Sequence, residues 1–136
     1  SGILVVIAVP LPDDVVNAVI FCECLDAKST VIKLVKLSSG IPQEVRVDVR
    51  DVVDNALKYK AVSVVVAHNH PSGDVSPSVQ DVELTRAIAA ALQLIKIKLA
   101  DHYIFSDFGY CSFVEDGVGG QIQQNVNNFL KDGIKY

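Results

Sequence analysis

A near-continuous apolar segment that ends in two histidines is the feature that most limits what this chain can fold into. Residues 61–67 read Ala-Val-Ser-Val-Val-Val-Ala, and His68-Asn-His70 follows directly. Such a segment is typical of a strand that is covered on both faces of a sheet. The sequence therefore predicts a buried strand that ends at a pair of imidazoles.

Apolar patterns elsewhere predict further strands and helices around this strand. Strands are indicated at residues 18–25, 31–37, 97–104 and 110–114, with a turn at 26–30. A helix capped by Asp48 is predicted to run to about Lys60, a second helix spans residues 79–95, and a weaker one spans 121–131 after a flexible joint at Gly117, Gly119 and Gly120. The inward residues of the first two helices are predicted to be Val49, Val52, Val53, Ala56 and Leu57, then Leu84, Ile88, Ala91, Leu92 and Ile95.

Strands that alternate with helices indicate an α/β fold in which helices layer a sheet. The chain has 136 residues and no internal repeat, so we interpret it as one domain over 1–136, with 119–136 as a C-terminal helical extension. Function is expected where strand ends meet loops.

Composition excludes several function classes. The net charge is -4, which argues against nucleic-acid binding through this domain alone, because phosphate binding needs a basic face. The apolar segment at 3–11 is too short to span a membrane and lacks the basic flank of a signal peptide, so we expect a cytoplasmic protein. Three cysteines without metal-type spacing, Cys22, Cys24 and Cys111, are interpreted as buried thiols.

The segment after the buried strand carries the chemistry. His68 and His70 lie two residues apart on an extended backbone, so both imidazoles project to the same side and can reach one ion. Pro71 and Gly73 turn the chain, and Asp81 in the first turn of the next helix is the natural third ligand. Two histidines and one carboxylate leave a fourth tetrahedral position open, which is the arrangement of catalytic zinc sites.

A structural interpretation competes for two of these residues. Ser78-Val-Gln-Asp81 also fits a capping box, which needs no metal. The histidine pair nevertheless favours a metal site, because packing does not explain two of the three histidines of the chain at the end of one buried strand.

At this point the sequence resembles a known family. His-x-His, seven residues, Ser, two residues and Asp match the JAMM motif of JAB/MPN metalloprotease domains, and His68-Asn-His-Pro-Ser-Gly-Asp74 resembles their bacterial RadC-type branch. The resemblance extends over about residues 19–117 and implies a mixed sheet sandwiched between helices, similar to the cytidine-deaminase-like architecture. It implies zinc-dependent hydrolysis of peptide or isopeptide-like amides in a peptide or protein substrate.

The resemblance also implies residue roles. His68, His70 and Asp81 would bind zinc, and Ser78 would hydrogen-bond the oxyanion of the tetrahedral intermediate. The family's general-base glutamate would fall near Ala18, where this chain has none. Glu23 is predicted to point to the opposite face of its strand, and Glu44 would have to arrive on a loop. We assign neither as the base. His102 is interpreted as a structural or hydrogen-bonding residue rather than as a ligand.

Other classes lack their required residues. The chain has neither the H-E-x-x-H helix of zincins nor the cysteine pair of zinc deaminases, and its adjacent His-Asn-His is not the dispersed set of an HNH nuclease. Two alternatives to a metallohydrolase stay open. One is a metal-binding interaction module that is catalytically weakened, as the missing glutamate suggests. The other is an accessory role in DNA repair, which RadC-type proteins carry by tradition.

Overall fold

The computed structural model describes residues 19–38 and 47–132. Within these ranges it contains five strands and three helices. In chain order they are β1 (Ile20–Leu25), β2 (Val31–Ser38), α1 (Val49–Lys58), β3 (Ser63–Asn69), α2 (Val79–Leu94), β4 (Lys98–Ser106), β5 (Gly109–Ser112) and α3 (Val118–Asp132).

The strands form one mixed sheet with the order β2-β1-β3-β4-β5. Only β3 and β4 run parallel within this sheet of described residues, and α2 is the crossover between them. The other neighbours pair antiparallel. Every residue of β3 after Ser63 is buried, as expected for a strand covered on both faces. The predicted α/β class with a mixed sheet is confirmed.

The main core lies between one face of the sheet and the first two helices. Its fully buried members include Cys22 of β1, Val66 of β3, Val52 of α1 and Ile88 of α2. Asp48 caps α1 as predicted, since its side chain accepts a hydrogen bond of 2.9 Å from the Arg50 N–H.

Two predicted inward positions are wrong. Leu57 at the end of α1 is 55% exposed, and Ile95 beyond the end of α2 is 39% exposed. Leu57 lies in the last turn of α1 and Ile95 is the C-cap of α2, so both are at helix ends. The inward face of α2 includes Asp81 and Thr85 instead, because the helix begins beside the histidines.

A second core cluster attaches α3 to the rest of the sheet. Ile122 and Val126 of this helix pack with Ala89 of α2, Ile104 of β4 and Phe113 after β5. The helix begins at Val118, earlier than predicted, so Gly119 and Gly120 are helical and the joint is confined to Gly117, which has φ 80°.

Gly119 has a packing reason to lack a side chain. A Cβ at this position would lie 3.3 Å from the carbonyl carbon and oxygen of Phe113. The glycine thus lets the first turn of α3 approach the backbone that follows β5.

The other face of the sheet carries a smaller cluster of Leu25, Val65, Ala67 and Tyr103. All three cysteines are buried free thiols, as predicted. Neither described range holds a helix with the length and apolar character needed to cross a bilayer.

Candidate metal centre

The end of β3 and the beginning of α2 meet at one edge of the sheet. His68 lies within β3, and His70 follows it on the same line, because the His70 N–H donates to the Phe105 carbonyl of β4 at 3.0 Å. The loop then folds back, with the Gly73 N–H donating to the His70 carbonyl at 2.9 Å. This turn brings the first residues of α2 to the two imidazoles.

Three side chains converge there, and they are the three that the sequence predicted. His68 Nε2 lies 3.1 Å from Asp81 Oδ1, and His70 Nε2 lies 3.0 Å from Asp81 Oδ2. The two Nε2 atoms are 3.1 Å apart. Among the described residues this is the one group of three or more metal-ligating side chains close enough to share an ion.

The donor atoms of the three residues lie close enough together to share one ion. Ligands held at about 2.0–2.1 Å from a tetrahedral ion lie roughly 3.3 Å from each other. The two Nε2 atoms are 3.1 Å apart, slightly less than this value, and each lies beside a different Asp81 oxygen. One ligand atom from each of the three residues can be chosen with all separations within 4.8 Å, so side-chain adjustment would bring the three to a shared ion.

The hydrogen-bond inventory of His70 also favours a cation. Its Nδ1 lies 2.7 Å from the Asp74 carbonyl oxygen, which can only accept, so Nδ1 carries the proton. In the neutral ring Nε2 then holds a lone pair that faces the Asp81 carboxylate. Two electron-rich atoms at 3.0 Å are favourable only when a positive charge, from a proton or a metal, lies between them.

Asp81 is held as a carboxylate. Burial raises the pKa of Asp81, but the nearby His68 imidazole and the hydrogen bond from the Ser78 backbone N–H outweigh burial and hold this pKa well below its usual value. The group is therefore a negatively charged ligand near neutral pH.

Ser78 is the N-cap of α2. Its hydroxyl oxygen accepts from the Asp81 N–H at 3.0 Å, and its own N–H donates to Asp81 Oδ2 at 2.8 Å, which completes a capping box. The structural interpretation of the Ser-x-x-Asp spacing is thus correct. It is compatible with a metal site, since the same carboxylate also faces both histidines.

His102 lies behind the histidine pair and is fully enclosed. Its Nε2 is 2.7 Å from His68 Nδ1, and its Nδ1 contacts the Thr85 hydroxyl. Burial, assisted by the charge of His68, lowers the pKa of His102 well below its ordinary value. Both ring nitrogens are occupied by side-chain contacts, so His102 is placed to support His68 rather than to bind an ion.

Thr85 was not identified from the sequence. A signal was present, because Thr85 follows Asp81 by four residues and such pairs share one face of a helix. The Asp74 carbonyl had no comparable signal, since a backbone contact of this kind depends on the shape of the loop.

Of the three positions considered for a general base, the structure describes only Glu23. Ala18 and Glu44 lie outside the described residues. Glu23 is on the face of the sheet opposite to His68, because its partner in β3 is Val65 whereas Ile20 pairs with His68. Neither Glu23 oxygen has a hydrogen-bond partner among residues 19–38 and 47–132, and burial raises the pKa of Glu23 to about 7.

Comparison with known proteins gives a consistent result. The chain is 37% identical over 94 residues to a UPF0758 protein of Geotalea uraniireducens, an alignment that covers 69% of this chain and 41% of that protein. It is 40% identical over 99 residues to a UPF0758 protein of Cupriavidus pinatubonensis, with 73% of this chain and 43% of that protein covered. A UPF0758 protein of Acinetobacter baumannii is 41% identical over 92 residues, with coverages of 68% and 39%.

The chain thus spans about two-fifths of the length of these curated relatives. The RadC-like JAB domain matches residues 11–118, a range that contains β1 to β5 and ends where α3 begins. On this match, and with the histidine pair and aspartate of the motif gathered at one sheet edge, the chain belongs to the RadC-like JAB domain family.

Proposed function

We propose that this domain is a zinc-dependent hydrolase of peptide or isopeptide-like amide bonds. The observation that carries the proposal is the convergence of His68 Nε2, His70 Nε2 and the Asp81 carboxylate. Each nitrogen lies 3.0–3.1 Å from one of the two carboxylate oxygens, and the nitrogens are 3.1 Å apart. Three protein ligands on a tetrahedral ion leave one position for water, whereas a structural zinc site is closed by four.

Zinc in such a site lowers the pKa of its bound water to about 7 and supplies a hydroxide nucleophile near neutral pH. The residues of this chain do the rest. His68, His70 and Asp81 would hold the ion at the sheet edge. The Ser78 hydroxyl accepts from the Asp81 N–H, and its proton is donated to no acceptor among the described residues. That proton is available for the oxyanion that forms when an amide carbonyl is attacked.

The residues that border the site support a peptide chain as the substrate. Val79, directly after Ser78, is 76% exposed, and Phe108 in the turn between β4 and β5 is 90% exposed. The Phe108 ring lies 3.3 Å from where a Cβ on Gly73 would be, so it stands beside the loop that follows His70. Exposed apolar side chains next to a reactive site can receive apolar side chains of a substrate.

A weakened, metal-binding interaction module is the second candidate function. The sequence favours it because the family's general-base glutamate is replaced near Ala18. Loss of a general base leaves metal binding intact but removes about 10²- to 10⁴-fold of rate. Binding and hydrolysis must therefore be measured separately.

The metal site is tested by a matched pair of aspartate variants. Asp81 and Asp51 each occupy the third position of a helix, after the caps Ser78 and Asp48, but only Asp81 faces the histidines. We expect Asp81→Asn to lose bound zinc, measured by elemental analysis after dialysis, while Asp51→Asn keeps the content of the unaltered protein. A His68→Ala, His70→Ala double variant that retained its zinc would refute the site.

Hydrolysis is tested with a peptide library in the presence of zinc. Cleavage that requires zinc and disappears in Asp81→Asn, but not in Asp51→Asn, supports the hydrolase. Stoichiometric zinc without any cleavage supports the interaction module instead.

A further inference from the structure

His102 is the only histidine of the sequence outside the motif, and each of its ring nitrogens contacts another side chain, His68 or Thr85. His102 is 1% exposed, and its ring stacks on that of Phe113, with ring centroids 4.6 Å apart and ring planes inclined by 22°. Stacking fixes the plane of the imidazole, so its two nitrogens point in set directions, toward His68 and toward Thr85.

The direction of each hydrogen bond in this network follows from one carbonyl. Thr85 Oγ1 lies 2.7 Å from the Asp81 backbone oxygen, which can only accept, so the single hydroxyl proton of Thr85 is donated there. Thr85 Oγ1 must then accept from His102, and the proton of His102 is on Nδ1.

The neutral His102 ring consequently has its lone pair on Nε2. It accepts from His68 Nδ1 across 2.7 Å, so the proton of a neutral His68 is also on Nδ1. His68 Nε2 is left with a lone pair, and that atom is the one that faces Asp81 and His70.

Both motif histidines therefore hold the same tautomer through separate carbonyls. His70 is fixed directly by the Asp74 carbonyl, and His68 is fixed at the end of a chain that begins at the Asp81 carbonyl. Asp81 thus acts on the site twice, through its carboxylate and through its backbone oxygen.

We propose that His102 and Thr85 are positioning residues that orient His68 and hold its proton on Nδ1, so that the Nε2 lone pair is presented to a metal ion. This inference rests on the metal-binding part of the proposed function. Neither residue touches the ion. Partners of this kind behind a ligating histidine typically change metal affinity about 10- to 100-fold when they are removed.

Thr85 offers the cleaner pair of variants. Thr85→Val keeps the branched shape and removes only the hydroxyl, whereas Thr85→Ser restores the hydroxyl. We expect Thr85→Val to bind zinc about 10- to 100-fold more weakly in competition with a chromophoric chelator. Thr85→Ser should recover most of this loss. Ile88→Val, a buried change on the same helix outside the network, is the control for packing and should bind zinc as the unaltered protein does.

His102 is tested by the same competition assay. His102→Leu removes the acceptor for His68 and should weaken zinc binding at least as much as Thr85→Val. Should His102→Leu fail to fold, as judged by circular dichroism, Thr85→Val still decides the proposal. Zinc binding by a folded Thr85→Val at the affinity of the unaltered protein would overturn it.

A second readout needs no metal. Long-range proton–nitrogen correlation in the metal-free protein at about pH 8 reports which nitrogen of His68 is protonated. We expect the Nδ1–H tautomer in the unaltered protein and in Thr85→Ser, and a mixture of tautomers in Thr85→Val. A His68 that carries its proton on Nε2 in the unaltered protein would refute the positioning role. Absence of zinc binding in every protein, with the Nδ1–H tautomer observed, would refute the proposed function but leave the hydrogen-bond assignment standing.

Discussion

Glu23 provides a quantitative test of the physical interpretation of this sheet. Glu23 is 1% exposed, and in the part of the chain that the structure describes neither of its carboxylate oxygens has a hydrogen-bond partner. Burial of this kind penalises the charged form, and it raises the pKa of Glu23 from 4.5 to about 7. A carboxylic acid is thereby kept protonated in the folded chain under conditions in which the unfolded chain ionises it.

The sign of the effect on stability follows from proton binding. Between pH 4.5 and about pH 7 the folded state holds more protons at this group than the unfolded state does, so the free energy of unfolding falls as pH rises through this window. Below the window both states are protonated, and above it both are ionised, so the contribution is constant on either side. The difference between 4.5 and about 7 corresponds to a loss of at most about 3 kcal/mol.

Glu23→Gln removes the titration and keeps the size of the side chain. We expect the stability of this variant minus that of the unaltered protein to increase by up to about 3 kcal/mol from pH 4.5 to above pH 7. Urea unfolding at a series of pH values measures this difference, and all other titrating groups cancel because both proteins contain them. Glu115→Gln, at an exposed position, should change stability by less than about 0.5 kcal/mol at every pH. A difference for Glu23→Gln that does not vary with pH would show that Glu23 is ionised in the folded protein, contrary to the argument.

Three further predictions concern the site and α3. Ser78→Ala should cost about 10²- to 10³-fold in turnover with little loss of bound zinc, besides about 1 kcal/mol of stability from the missing cap; a variant that lowers only the melting temperature would indicate that Ser78 is a cap alone. Ala18→Glu should raise peptide hydrolysis by about 10²- to 10⁴-fold if the base position is vacant, whereas strong activity in the unaltered chain that disappears in Glu44→Gln would place the base on Glu44. A Cβ at Gly120 of α3 would meet open space, so Gly120→Ala should raise the stability measured in urea by about 0.5–1 kcal/mol. Gly119→Ala should give no gain, because its Cβ would lie 3.3 Å from backbone atoms of Phe113. Equal gains in the two variants would refute the close approach of α3 to this backbone.

The site was more predictable from the sequence than were the helix faces. His68 and His70 could be paired because a two-residue spacing on a strand places side chains on one side. Asp81 could be added because Pro71 and Gly73 indicate that the loop between strand and helix turns back. These are local rules, and the structure brings the three residues together as they require.

The inward face of α2 was predicted from apolar periodicity alone, and this is where that reasoning was incomplete. Near its beginning the helix faces histidines rather than aliphatic side chains, so the buried residues there are Asp81 and Thr85. Further along, the helix packs on Ile122 and Val126 of α3, and Ala89 is buried in that contact. Whether a buried position of a helix holds a polar or an apolar residue depends on the elements that pack against it. The periodicity of the helix alone does not contain that information.

Strand bounds shifted for a similar reason. The prediction for β4 was 97–104, and the strand runs from Lys98 to Ser106. Its extra length comes from pairing, since Asn69 of β3 and Tyr110 of β5 both pair with Phe105. Partners on two sides extend a strand beyond the segment that its own residues favour.

The parallel pairing of β3 with β4 has a consequence for how local stability is distributed. Every group of the metal centre and of the hydrogen bonds behind it belongs to one β-α-β unit, from Ser63 to Ser106. A ligand that binds only the folded state stabilises it by about 2.7 kcal/mol at a hundred times its dissociation constant. Local unfolding of this β-α-β unit, without unfolding of the rest of the domain, would be enough to release such a ligand. The amide protons of this β-α-β unit would therefore all exchange more slowly with solvent when the ligand is bound. Amide protons that exchange through local opening of the β2 edge or of the end of α3 would exchange at unchanged rates.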